Sequence, residues 1–293
     1  MAALTVMGMR ATFPCRYGAD MAGDPSTSVA ARVDADAAAA RSGVTIRTIP
    51  DEAGVTDAMQ VFDQVWPPMD GGTSVPPNLF IALVHAGGYA SVAYIGGVPV
   101  GAALGVVGRH RDAQGEWHTH IHSHMAGVIE GFRDRHIGTA LKLHQRAWCL
   151  AAGIGTVVWT FDPLVKRNAR LNILKLGVDV RGYEVNFYGD MPDAVNAGDP
   201  SDRVFAWWEL SAPRVRAAID GLLTATEVLM QDRVIVIPDD IVELRTSQPD
   251  EARMWRERVR GEMLTALDAG YAVAGLDGMG NYVMRRVENA DGH

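Results

Sequence analysis

The stretch that decides the fold is His122-Ser-His-Met-Ala-Gly-Val128, then Ile129-Glu-Gly-Phe-Arg-Asp-Arg-His-Ile-Gly-Thr-Ala140, then a helix-patterned run leading to Thr156-Val-Val-Trp-Thr-Phe-Asp162. It reads as strand, glycine-containing turn, helix, strand. The turn delivers a row of backbone N–H groups to a helix start, which is how a chain grips a phosphate. Gly138 lets a ligand approach the backbone, Ala140 keeps the helix start uncrowded, and Arg133, Arg135 and His136 form a local basic spot.

Upstream, Val44-Thr-Ile-Arg-Thr-Ile alternates like a strand, Pro50-Asp-Glu opens a helix that Trp66-Pro-Pro ends, and 76–86 predicts a second short helix. Gly96-Gly97 between two apolar runs predicts a hairpin. His118, His120, His122 and His124 alternate, predicting a third strand of that sheet with all four histidines on one face, successive pairs about 6.8 Å apart. Two histidines so spaced could chelate a metal, but no cysteine or paired carboxylate completes a site, so none is expected.

Downstream, the helix from Ile137 sets Leu141, Trp148 and Ala151 on one side and Lys142, Gln145 and Arg146 elsewhere, with Gly153 placed to cap it. A further helix spans 165–176, and strand-like pieces follow at 178–180, 185–188 and 204–210. From Ala212 the pattern restarts with a short helix at 213–223 and a strand at Val234-Ile-Val-Ile. Ser247-Gln-Pro-Asp-Glu resembles a capping box, and a hairpin closes around Asp277-Gly-Met-Gly-Asn. The expected division is a flexible or weakly structured N-terminal segment at 1–42, whose closing run Val33-Asp-Ala-Asp-Ala-Ala-Ala-Ala-Arg reads as a short helix or a mobile lead-in, a main domain at 43–211 and a C-terminal α/β extension at 212–293.

Composition bounds the rest: 293 residues, 48% hydrophobic and 21% charged, describe a globular chain with ample core. The net charge of −8 disfavours nucleic acid while leaving room for one small phosphorylated ligand at the basic spot. Only Cys15 and Cys149 are present, so there is no disulfide framework, and no membrane span or export signal is read. A cytoplasmic setting is expected.

Arg135-His-Ile-Gly-Thr-Ala fits Arg/Gln-x-x-Gly-x-Gly/Ala between a strand and a helix, and over about residues 44–210 the chain resembles the GNAT superfamily of acyl-CoA-dependent N-acyltransferases. Ser123-His-Met-Ala-Gly-Val, Trp159-Thr-Phe-Asp-Pro-Leu, Arg167-Asn-Ala and Asn186-Phe-Tyr-Gly look like a branch described only as predicted acetyltransferases, some relatives of which are associated with N-succinylation of amino acids. The resemblance implies an α+β (α/β-type) GNAT fold: a mixed, mostly antiparallel central sheet flanked by helices, here with a C-terminal α/β appendage.

It also implies that pantetheine pairs like an extra strand with Ala126, Gly127 and Val128, and that pyrophosphate lies on the turn of Arg135, His136, Ile137, Gly138, Thr139 and Ala140. Asn168 and Asn172, four apart, could hold the pantetheine amides, or be a cap and a solvated residue. His124 reads as a general base or a satisfied core histidine, and Asp162 as an amine-orienting acid or an Asp-Pro turn former. Many family members carry a thiol-protonating tyrosine four residues before the glycine that ends the later helix. Counting back from Gly177 gives Ile173, which leaves Tyr188, Tyr183, a water or no residue for that role. Trp66, Trp159, Phe161 and Tyr188 wall an acceptor pocket or are plain core.

The expected activity is transfer of an acetyl or succinyl group from coenzyme A to a primary amine of a small molecule such as an amino acid; the alternative is an acyl-CoA-binding protein with altered catalysis. Acyl-CoA is the co-substrate, with no metal, no nucleic acid or membrane partner, and a homodimer possible.

Overall fold

A computed structural model describes residues 25–49, 51–68, 72–112, 114–189 and 199–287; Cys15 lies outside them. The described chain opens on helix α1 (Pro25–Ser42), followed by β1 (Thr45–Thr48), α2 (Glu52–Val65), α3 (Pro77–His85), β2 (Tyr89–Ile95), β3 (Val98–Arg111) and β4 (Trp117–Val128). Next come α4 (Ile137–Ala151), β5 (Thr156–Phe161), α5 (Lys166–Arg170), which runs on as a π-turn over Leu171–Lys175, then β6 (Asp179–Glu184) and β7 (Arg203–Glu209). The C-terminal region contains α6 (Pro213–Ile219), β8 (Arg233–Ile235), α7 (Ile241–Ser247), α8 (Pro249–Asp268), β9 (Tyr271–Leu276) and β10 (Tyr282–Arg286).

Seven strands form one sheet in the order β1-β2-β3-β4-β5-β7-β6. Every neighbouring pair is antiparallel except β4 with β5. The β2–β3 hairpin turns on Gly96 and Gly97, with φ of 57° and 86°, a conformation only glycine adopts without strain at both positions. Helices α2 and α3 cover one face, burying Val61, Phe62 and Phe80 against Val92, Ala102 and Leu104. Helix α4 covers the other face through Ile137, Leu141 and Ala147. The mixed, mostly antiparallel sheet with flanking helices is the expected architecture.

Of the 1–42 segment, residues 1–24 lie outside the described residues, and Pro25–Ser42 form helix α1, the helical alternative, packed along α4. Ala31, Ala35 and Ala38 share one face of α1 and are buried, their small side chains letting α1 lie close along α4. Asp34 of α1 then accepts from Arg146 of α4 at 3.2 Å and from Arg216 of α6 at 2.7 Å.

The C-terminal strands form a second antiparallel sheet, β8-β10-β9; its Ile235 and Tyr282, with Val259 and Met263 of α8, belong to the same apolar cluster as Trp159 and Trp208. Two local expectations differ. Ser247 does not cap α8; its hydroxyl donates to the Glu243 carbonyl at 3.0 Å, ending α7. Residues 185–188 form a turn instead of a strand, with Asn186 at φ 51° and its side chain accepting from the Ser201 N–H at 3.1 Å. Among the described residues no helix is long and apolar enough to cross a membrane.

Candidate active site

Strands β4 and β5 are neighbours, yet only Ile121 with Val157 and His122 with Val158 are in register. Beyond those pairs β4 continues to Val128 and β5 to Phe161 without pairing to each other. The strands part, leaving a cleft whose β4 wall carries backbone groups with no strand opposite. On its far side β4 stays paired, Ala126, Gly127 and Val128 lying opposite Ala103, Ala102 and Gly101. The register slips between Met125 and Ser123, which makes His124 the extra residue of a β-bulge. Gly127 is demanded by close approach: a Cβ there would meet Val65 at 3.0 Å and the Trp66 ring at 3.1 Å.

Helix α4 begins beside this cleft, after Asp134 and His136 turn the chain with φ of 62° and 60°. The Ala140 N–H donates to the His136 carbonyl at 3.0 Å, so the N–H groups of Ile137, Gly138 and Thr139 precede the helical ladder. A Cβ on Gly138 would meet no protein atom within 4 Å, so the space before the helix end is open. Arg133 is partly exposed, and Arg135 and His136 are exposed at the same end. The side chains of Ile137 and Ala140 are buried in the core, so Ile137 faces the helix start only through its backbone and the small Ala140 also packs against the sheet. Asn168 is half-buried, whereas Asn172 is buried within the π-turn and so is not a solvated residue. Ile173 is also buried there.

The histidines form two groups. His118 contacts Asp112 at 2.7 Å, His120 lies 3.1 Å from His110 between Nδ1 atoms, and His110 stands edge-on to Trp207. Nearer the cleft, the His122 and His124 rings are 6.4 Å apart, and His124 is 6.5 Å from the Tyr188 ring. Burial lowers the pKa of His120 and His124, and it lowers His122 to about 4 with the help of His124, His120 and Lys142. At pH 7 these three rings are therefore neutral, His122 the weakest base of them, and His124, whose side chain still reaches solvent, is the one open to an incoming group. Among the described residues no group of three or more His, Cys, Asp or Glu is placed to hold a metal ion. Tyr188 is exposed, with its hydroxyl 3.0 Å from Thr160 Oγ1 and the Arg203 guanidinium 5.5 Å from its ring.

The sequence matches no protein-family model and no curated protein. Among solved structures it is similar to a GNAT family acetyltransferase from Elizabethkingia anophelis with acetyl-CoA bound, at 14% identity over 57% of this chain and 98% of that one, TM-score 0.41. It is also similar to an N-acetyltransferase from Staphylococcus aureus (16% identity, 57% and 99% covered, TM-score 0.43). A GNAT family acetyltransferase from Streptococcus pneumoniae is similar at 11% identity, with 56% and 97% covered and a TM-score of 0.42.

Three proposed participants fall outside the cleft's working face. Asp162 is buried, accepting from Arg256 at 2.9 and 2.7 Å, from the Leu164 N–H at 2.9 Å and from Arg245. Burial alone would raise its pKa, but Arg256 and then Arg245 hold it well below the carboxylate range, so it is a structural anion and not a base. Trp159 and Phe161 are core residues, Trp159 packing edge-on against Trp208. Tyr183 is committed as well: its hydroxyl donates to Asp202 at 2.6 Å, and burial with that carboxylate raises its pKa. Sequence reasoning missed Thr160, which strand alternation from Trp159 would have placed on the Tyr188 side. It also missed Lys142, buried against Ser123, for which the sequence carries no signal.

Proposed function

We propose that this chain is a GNAT-type N-acyltransferase, moving an acetyl or succinyl group from coenzyme A to the primary amine of a small molecule such as an amino acid. The parting of β4 and β5 beside the start of α4 carries the reading. A ligand with amides along its length and phosphates at one end fits this pair of features. Its amides would pair with the backbone of Ala126, Gly127 and Val128 as an added strand. Its pyrophosphate would meet the N–H groups of Ile137, Gly138 and Thr139 under the positive end of α4, with Arg133, Arg135 and His136 adjacent.

The chemistry follows from the groups on the Tyr188 side of the cleft. The amine nitrogen attacks the thioester carbonyl, whose oxygen is polarised by backbone N–H near Gly127. Neutral His124, set forward by the bulge, takes the ammonium proton. The C–S bond then breaks, and the thiolate takes a proton from the Tyr188 hydroxyl, which stands on the same face. Trp66, over Gly127 on the α2 side, borders the acceptor's approach. Ile173 in the core, where a thiol acid would otherwise stand, favours a second reading: an acyl-CoA-binding protein with altered turnover.

Gly138→Trp fills the open space before α4, and coenzyme A affinity measured by calorimetry should fall by about tenfold or more; unchanged affinity counts strongly against the reading. Free-thiol release from acetyl- or succinyl-CoA with pooled amines separates the two readings, since a binding protein releases none. In the transferase, His124→Gln should lower kcat by about 10²–10⁴-fold while coenzyme still binds.

A further inference from the structure

Lys142 is a buried cation without a counter-ion. At 6% exposure it donates to Ser123 Oγ at 2.7 Å and Gln145 Oε1 at 3.2 Å, and its ammonium lies 3.7 Å from the centre of the Trp159 ring. It forms no ion pair among the described residues. The neighbourhood is short of acceptors in another respect: the Gln145 Nε2, fully buried, has no hydrogen-bond partner. Two titratable groups lie close enough to act on Lys142, the Cys149 thiol, which burial keeps protonated, and the His122 ring, and neither supplies a negative charge. An ammonium held this way costs stability that a carboxylate opposite would offset.

Its position shows where such a carboxylate would come from. The last register pair of β4 and β5 is His122 with Val158, and the next residue on each strand, Ser123 and Trp159, is a direct contact of Lys142. The ammonium therefore stands on the α4 side of the cleft's closed end. A thioester entering from the start of α4 presents its acyl group toward that end. An acetyl group stops two carbons beyond the sulfur, whereas a four-carbon chain carries its far terminus deeper.

We infer that Lys142 selects the acyl group, its ammonium receiving the terminal carboxylate of a dicarboxylic acyl-CoA of the succinyl type. This rests on the acyl-CoA reading above and assigns the choice between its donors to one residue. With no anion opposite, burial lowers the Lys142 pKa to about 7. An opposed carboxylate raises it again, so the bound pair is ionic at neutral pH.

Calorimetry with succinyl-CoA, butyryl-CoA and acetyl-CoA tests it, because butyryl and succinyl chains match in length and differ in charge. Wild type should bind succinyl-CoA about tenfold or more tighter than butyryl-CoA. Lys142→Met should bring that ratio close to one, and Lys142→Arg should retain part of it. Melting curves verify that the variants are folded; if Lys142→Met is not, the wild-type ratio and Lys142→Arg decide. Equal affinity of wild type for the two four-carbon thioesters overturns the inference, as does a preference that survives Lys142→Met. Both outcomes leave the acyl-CoA reading standing, whereas failure of all three thioesters to bind overturns both.

Discussion

Two buried charges flank β5, and they are built in opposite ways. Lys142 lies against Trp159 with only a hydroxyl, an amide oxygen and a ring around it. Asp162, just past the other end of the same strand, is enclosed by Arg256 and Arg245, and Asp199 shares both guanidiniums. The Asp162 cluster is complete within the protein: every charge has a partner, and the C-terminal helices α7 and α8 are tied to the end of β5. The Lys142 cluster becomes complete only when something brings an anion. A charge satisfied internally holds the scaffold, and a charge left unsatisfied at the closed end of a cleft is available to a ligand.

The largest effect is expected on the satisfied side. Asp162→Ala leaves the buried guanidiniums of Arg256 and Arg245 sharing Asp199 alone and should cost about 3 kcal/mol in urea unfolding. Because the folded pKa of Asp162 is lowered, its contribution is fully present above the ordinary aspartate range and is lost as pH falls through the folded value. A loss well under 1 kcal/mol on Asp162→Ala would erase the contrast between the clusters.

A smaller effect of opposite sign is expected at Lys142. Lys142→Met removes the cost of a buried ammonium and should raise stability by about 1–3 kcal/mol at pH 6 without ligand. The folded pKa of about 7 lies below the ordinary 10.5, so between these values the unfolded chain binds more protons and wild-type stability climbs with pH. The advantage of Lys142→Met should therefore shrink from pH 7 toward pH 10. A pH-independent difference in melting temperature would show that Lys142 is not the titrating group.

Much of the fold was legible because its signals are local. Gly96-Gly97 marked a hairpin, Gly138 and Gly177 marked the edges of helices, and period-two alternation marked β4. The bulge at His124 was not legible, since one extra residue against β3 is visible only when the partner strand is in place. Helix α1 was legible only as one of two alternatives, because an alanine-rich face shows little contrast with its surroundings until another helix approaches it. Its arrival also changes α4: Arg146, set away from the side of Leu141, Trp148 and Ala151, is buried, with its guanidinium on Asp34 and the Leu210 carbonyl.

The candidate site divides along the same line. The turn at Arg135–Ala140 and the strand at Ala126–Val128 were set by the sequence, because a glycine at a helix start and an alternating run act through neighbouring residues. The tertiary structure alone decided which charged groups are spent and which are free. Asp162, readable as an amine-orienting acid or a turn former, is a structural anion once Arg256, 94 residues away in the chain, is brought against it, and the burial of Lys142 beside Ser123 and Trp159 has no mark in the sequence. Charge pairing is an interaction between distant segments that costs or stabilises only when water is excluded, and no local pattern in the chain records which segments will exclude it.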